Sequence, residues 1–373
     1  MTIRVLIVDD SALMRALVKR KLADDPQIEI VGSAPDAAEA RRLIKALDPD
    51  VVTLDIEMPG MDGLSFLEKI MQLRPTPVII VSGAAGPGAE ATARALALGA
   101  VACFSKAELD SSIAHADSGK LAALVREAAQ VRLHVPVNSA QTAAAAARAA
   151  APRSPAQPAR ARRSDLQPGA TRREIGQPAL IAIGSSTGGV EALHALLADF
   201  PEDCPPTLIV QHINACFSPA IARSLDRVTS ARVALAQSDQ PVRRGEILIA
   251  PGEEGHLTVK ANSAGGWRCR MRPGAPISGH RPSVDALFSS LASEAGPAAL
   301  GIILTGMGQD GASGLRALLE SGAQTIAQDE ASCVVFGMPR AAIELGAAQH
   351  ILPIDQIGKR IFQPFHSAQR KAS

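Results

Sequence analysis

The chain has 373 residues, which at roughly 100–200 residues per domain suits two domains and a connector. Its 47% apolar content excludes a collagen-like or wholly disordered chain, and 38 basic against 37 acidic side chains leave no global basic field for nucleic acid. Aromatics are only 2% with Tyr absent, which argues against a stacking platform for single strands, and five cysteines (Cys103, Cys204, Cys216, Cys269, Cys333) without C-x-x-C spacing argue against a disulfide framework or zinc site. The opening MTIRVLIVDD is too short an apolar run for a signal peptide core or a membrane span, so a cytoplasmic protein is expected.

From Ile3 to about Leu133, short β-branched runs alternate with stretches of helical period. The strand candidates are IRVLIVDD, IEIVGSA, VVTLDIEMP, TPVIIVSG and AVACFSK, and GKLAALVREAAQVRL closes the set as a helix. Five strands and five helices in strict alternation predict a parallel sheet covered on both faces. Ligands of such sheets sit beyond the carboxyl ends of the strands. Those ends carry Asp9 and Asp10, then Asp55, Ser82 and Lys106. Three carboxylates on one rim repel each other unless a hard cation joins them, and Mg²⁺ takes one or two carboxylates with waters and a phosphoryl group. A carboxylate facing that ion can accept a phosphoryl group, while Lys and Ser bind the oxygens it brings. Singly, each residue reads as a strand-end turn former; their convergence points to phosphoryl chemistry.

Residues 132–177 change character, with Ala, Pro, Gln and Arg dominant and eight Arg against two acids, Asp165 and Glu174. They read as a solvated connector between domains expected at 1–131 and 178–362, the alternative being a basic arm for an acidic partner. From Pro178 the alternation resumes. ALIAIGSS, TLIVQHI, ARVALAQ, GEILIAPG, ALGIILTG and AQTIAQD are the strand candidates, with antiparallel elaboration expected around HLTVKANSAGGWRCRMR. The end of the chain, IGKRIFQPFHSAQRKAS, is expected to fray, with 363–373 as a free tail.

The first strand of the second half runs into Ser185-Ser186-Thr187-Gly188-Gly189 and then a helix. Gly184 to Gly188 satisfies G-x-S-x-G, a sharp strand-to-helix turn that exposes a serine and places helix amides near an oxyanion. By itself such a turn could equally cradle a phosphate. The next strand, however, ends in His212 rather than an acid, and a later strand delivers Asp310. Each has a plain alternative: a buried histidine for His212, and a cap on the helix GASGLRALLESG for Asp310. Three such groups at strand ends predict a triad in which Ser186 attacks a carbonyl, His212 moves the proton and Asp310 orients His212. The order Ser, His, Asp departs from that of α/β-hydrolases, whose His comes last. In GHRPSVD, Ser283 reads as a helix cap, with a substrate-side role for His280 or Arg281 as the minority alternative; Cys333 and Met338 read as core or turn positions.

VLIVDDSALMR, TLDIEMPGMDG, VIIVSG and Lys106 resemble the receiver domains of two-component response regulators. The resemblance implies a flavodoxin-like (βα)5 fold and phosphorylation of Asp55. It also implies Mg²⁺ bound by Asp10, Asp55 and the backbone carbonyl of Glu57, with Asp9 completing the acidic pocket and Ser82 and Lys106 holding the phosphoryl group. Ala107 stands where that family usually has Pro after the lysine, and Cys103, followed by Phe104, where it usually has a switching aromatic.

IAIGSSTGG, QHI, APGEEGHL, SGHRPSVDALF, LTGMGQDGASGL and TIAQDEASCVVFGMPRAAIELG resemble the catalytic domain of chemotaxis protein-glutamate methylesterases, the CheB family. That family joins a receiver through a linker to a doubly wound, mostly parallel α/β domain. By this resemblance Ser186, His212 and Asp310 are the triad, the Met307 backbone N–H is an oxyanion donor, and Thr187 supports the serine–histidine arrangement. Asn214-Ala215-Cys216 follows QHI where the family often has Pro-rich residues. The implied reaction hydrolyses glutamate γ-methyl esters on chemoreceptors and deamidates glutamines, with no cofactor for the ester step. A histidine kinase supplies the phosphoryl group to Asp55, and the receiver obstructs the triad until then. The chain is expected to be monomeric, with no nucleic acid partner and no membrane insertion. The rival is a non-enzymatic, phosphorylation-controlled binding module whose triad is vestigial.

Overall fold

The computed structural model describes residues 2–58, 60–83, 86–110, 118–131, 178–252, 255–262 and 266–362. The connector 132–177 and the tail 363–373 lie outside the described residues. The first half alternates as β1 (Ile3–Val8), α1 (Ala12–Leu22), β2 (Ile28–Ala34), α2 (Ala37–Leu47), β3 (Val51–Leu54), α3 (Gly63–Leu73), β4 (Val78–Ser82), α4 (Pro87–Ala97) and β5 (Ala102–Ser105). Its strands pair in parallel in the order β2-β1-β3-β4-β5. β3 and β4 are buried along their whole length, because helices cover both faces and the strand sequences are apolar without alternation. Asp36 and Asp62 cap α2 and α3, accepting the amides of Glu39 at 2.9 Å and Ser65 at 2.7 Å. After β5 the chain makes a short α5 (Ala107–Asp110) before α6 (Ser118–Ala128), where the sequence suggested a single closing helix.

The second half contains β6 (Leu180–Ser185), α7 (Gly189–Leu197), β7 (Thr207–Gln211), α8 (Ser218–Asp226), β8 (Arg232–Leu235), β9 (Pro241–Val242), β10 (Glu246–Ile249), β11 (His256–Ala261) and β12 (Trp267–Arg272). It continues as α9 (Val284–Glu294), β13 (Ala299–Ile303), α10 (Ala312–Glu320), β14 (Gln324–Gln328), α11 (Met338–Glu344), β15 (His350–Leu352) and α12 (Ile354–Phe362). Seven strands form a parallel sheet, β15-β14-β13-β6-β7-β10-β8, and β11, β12 and β9 make the antiparallel addition. From β6 the chain first winds to one side through β7 and then returns to β13 on the other. The crevice at that reversal, beyond the strands' carboxyl ends, is where such a sheet binds ligands.

One expectation is corrected. The segment 357–362 does not fray but belongs to α12: Ile357 and Ile361 are fully buried, and the Phe362 ring meets Phe200 edge-on at 5.1 Å. Ile354, Ile357 and Ile361 recur at helical spacing and form the apolar face that docks there.

The halves pack against each other. One apolar cluster runs without a break from Ala89, Ala93 and Leu96 of α4 into Val190, Leu193 and Ile221 of α7 and α8. Glu90 of α4 pairs with Arg223 of α8 and, at 3.5 Å, with Arg227 just past its end, while Asn214 donates to Glu108 at 2.6 Å.

Candidate active site

Ser186, His212 and Asp310 follow β6, β7 and β13, three adjacent strands of the parallel sheet. The turn carrying Ser186 is shaped by two glycines. Gly188 adopts φ +74°, and a Cβ there would meet Val334 at 2.4 Å; a Cβ on Gly306 would meet the Cβ of Ser186 at 2.7 Å. Backbone contacts lock the turn in place. Ser186 N donates to Thr305 O at 3.0 Å, and His212 N donates to Ser185 O at 2.9 Å. Gln211 completes the clamp: its Nε2 donates to both Ser186 O (2.9 Å) and His212 O (3.0 Å), while its Oε1 accepts from Ser185 Oγ at 2.6 Å. The sequence reading overlooked Gln211; its place at the end of a buried strand beside His212 was the available sign.

Asp310 is buried and does not cap its own helix. It closes the N-terminus of α9, accepting Ser283 Oγ at 2.8 Å, Val284 N at 2.8 Å and Asp285 N at 3.0 Å. Its Oδ2 also receives His212 Nε2 at 2.9 Å. Burial alone would raise the Asp310 pKa, but the His212 hydrogen bond and charge, with the amides of Asp285 and Val284, hold it below the ordinary carboxylate value. Ser283 does two jobs, accepting Ala286 N at 3.3 Å as a cap and donating to Asp310. Neighbouring Asp285 is pushed the other way, chiefly by burial and also by Asp310 itself.

With Nε2 on Asp310, the free nitrogen of His212 is Nδ1, which is buried and has no hydrogen-bond partner. Ser186 and His212 line the same cleft of about 650 Å³, whose walls include Met307, Thr187, His280 and Arg281. Among the described residues Ser186 Oγ makes no hydrogen bond, so the serine–imidazole contact is not closed in this state. Catalytic contacts of this kind often tighten only around substrate. The Thr187 hydroxyl turns toward the first half of the chain and donates to Glu127 Oε2 of α6 at 3.4 Å. Glu127 and Glu108 are cleft-lining groups contributed by that first half. Burial raises the Glu127 pKa against the pull of Thr187, Arg126 and His212.

In the first half Asp9, Asp10 and Asp55 bring carboxylate oxygens within 4.8 Å of one another. Lys106 Nζ reaches Asp55 Oδ2 at 2.6 Å and Asp9 Oδ2 at 3.1 Å, while Glu57 N donates to Asp55 Oδ1 at 3.2 Å. Burial outweighs the lysine and raises the Asp55 pKa; the lysine, despite its own burial, is raised by the two carboxylates. Ser82 Oγ points inward to Gly88 O at 3.3 Å instead of into the acidic pocket. Strand alternation turns Phe104 into the core of the first half and leaves Cys103 toward Cys216 of the other half. All five cysteines are free thiols. No described helix is long and apolar enough to cross a membrane.

Residues 181–361 match the family described as CheB methylesterase, and residues 5–116 match the response regulator receiver domain. A Caulobacter vibrioides protein named protein-glutamate methylesterase/protein-glutamine glutaminase 1 is 49% identical, covering 96% of this chain and 97% of its own length. A Rhizobium etli protein of the same name without the number is 47% identical over 96% of both chains. Among solved structures, the CheB methylesterase catalytic domain of Thermotoga maritima is 35% identical, covering 50% of this chain and 97% of its own, with a TM-score of 0.48.

Proposed function

Since the chain belongs to the CheB methylesterase family and carries a receiver ahead of the catalytic half, we propose that Ser186, His212 and Asp310 form its hydrolytic triad. The enzyme is a protein-glutamate methylesterase and protein-glutamine glutaminase of chemotaxis. The observation that carries the triad is the state of His212: Nε2 is tied to Asp310 at 2.9 Å, and Nδ1 is left buried and unpartnered in the serine's cleft. Ser186 Oγ gives its proton to Nδ1 as it bonds to the ester carbonyl carbon. The carbonyl oxygen becomes an oxyanion, for which the Met307 N–H is the donor. His212 returns the proton to the departing methoxide, methanol leaves, and water opens the acyl-Ser186 by the same route to give glutamate. With a glutamine substrate the leaving group is ammonia. The ionised Asp310 keeps the protonated imidazole stable throughout.

The receiver half governs access. Asp55 is the phosphoacceptor, facing Lys106, and Ser82 would turn from Gly88 O to bind a phosphoryl oxygen. The acidic pocket fits Mg²⁺: its ligand atoms are hard carboxylate oxygens already gathered within 4.8 Å of one another, with the Lys106 ammonium the cation now pairing with Asp9 and Asp55. Asp10, Asp55 and the Glu57 carbonyl would hold the ion, which neutralises charge on the incoming phosphoryl group. In the present arrangement Glu127 and Glu108 of the receiver half stand in the cleft that substrate must enter, which supports obstruction in the resting state. A histidine kinase supplies the phosphoryl group and methylated chemoreceptors supply the substrate, in the cytoplasm.

The test is methanol release from methylated receptor membranes, comparing the full chain with Ser186→Ala. Loss of turnover supports the triad. Equal rates for the two proteins would leave only a phosphorylation-controlled binding module.

A further inference from the structure

The geometry points to His280 as a positioning residue that fixes the plane of the His212 imidazole through face-to-face stacking. The inference rests on the reading of His212 as the proton carrier. The two rings are parallel within 2°, with centroids 3.8 Å apart.

Asp310 alone cannot orient His212. A ring held at one nitrogen can still pivot about its Nε2···Oδ2 hydrogen bond, and that pivot swings the Nδ1 lone pair away from Ser186. A flat surface against the face of the ring removes this freedom. His280 is itself held for the task. Its turn is closed by reciprocal bonds, Ile277 N to His280 O at 3.0 Å and His280 N to Ile277 O at 2.9 Å. Its Nδ1 donates to Ser278 O at 2.9 Å, which fixes the tautomer. The chain then runs through Pro282 to Ser283, whose hydroxyl binds Asp310. Edge anchor and face anchor of His212 are thus joined within one short segment.

Neutrality matters, because two cationic imidazoles at this distance would repel. Burial and the neighbouring His212 both lower the His280 pKa, so His280 stays uncharged. When His212 takes the serine proton, it becomes a cation lying over a neutral aromatic face, a favourable arrangement in a desolvated cleft. A metal shared by His212, His280 and Asp310 fits poorly, since parallel rings direct their lone pairs side by side rather than toward one point.

The experiment measures methanol release by the full chain, activated with a small phosphodonor and Mg²⁺, for wild type, Ser186→Ala, His280→Ala, His280→Leu and His280→Phe. Removal of the ring in His280→Ala is expected to lower kcat roughly 10- to 100-fold with KM little changed, the scale of effect produced by slight misplacement of a catalytic group. His280→Phe restores most of kcat because it keeps the flat face, whereas His280→Leu fills the space without a face and remains slow. If His280→Ala does not fold, the Leu and Phe pair decides alone. Equal kcat for Leu and Phe, or a rise in KM with unchanged kcat, overturns the inference. Turnover that survives Ser186→Ala defeats the triad reading instead, whatever the His280 variants do.

Discussion

A single carboxylate carries two structural duties at the centre of this site. Asp310 Oδ1 accepts Ser283 Oγ and Asp285 N, and Oδ2 accepts His212 Nε2 and Val284 N, so every partner is a donor. Asp310→Asn keeps the shape but must aim an NH2 group at one of those donor pairs. If it faces His212, the imidazole flips tautomer or swings out, and turnover should fall by about 10³-fold or more. Because the same group closes the N-terminus of α9, the variant should also lose about 1–2 kcal/mol of stability. Steady-state methanol release and a urea midpoint measure the two effects. A slow but fully stable variant would mean that the helix N-terminus finds another cap. The pH sign follows from the lowered pKa: the carboxylate's contribution is present above the ordinary carboxylate value and lost as pH falls through its own, lower value.

At the scale of elements, what the sequence disclosed followed from how local its signals were. Fully apolar runs such as VVTL and VIIVS announce strands covered on both faces, and the residue just after each run falls on the rim where ligands bind. Asp9, Asp55 and His212 stood out for that reason, and Asp310, in the loop that leaves β13, stood out less directly. Gln211 was not, because its role depends on bonds across to the Ser186 turn, which no local pattern encodes. The state of the His212 ring was hidden likewise, since it depends on a turn nearly seventy residues later. Helix α12 departs from the expected fraying of a chain end because the partner of its apolar face, Phe200, lies far back in the chain. If α12 is a structural element, Ile361→Ala should cost roughly 2–5 kcal/mol, as for other fully buried large-to-small changes. Denaturant unfolding of the full chain tests this, and a change within a few tenths of a kcal/mol would return the segment to the status of a tail.

Across the whole molecule, the resting contact between the halves is both apolar and titratable. Asp55→Asn should abolish activation by a phosphodonor while leaving the basal rate, because Asp55 follows β3, two strands in from the β5 edge, and pairs with Lys106 of its own half. The contact itself should respond to pH. Glu127 of α6 faces Thr187, Arg126 and His212, and burial raises its pKa; Glu191 of α7, beside the Gly99 turn, is raised by burial too. A carboxyl whose pKa is higher when docked takes up a proton on docking. Its contribution is therefore complete below the ordinary carboxylate value and is lost as pH rises through the raised one, each unit of difference amounting to about tenfold in the docking equilibrium. The basal rate should climb toward the activated rate as the solution becomes less acidic. The ratio of activated to basal turnover, followed from about pH 5 to about pH 8, cancels what the two states share and isolates the docking step. Glu127→Gln keeps the neutral form at every pH and should flatten that ratio, leaving only the slope from Glu191. A ratio that is equally steep in wild type and Glu127→Gln would show that the carboxyl in the cleft has no part in holding the receiver there.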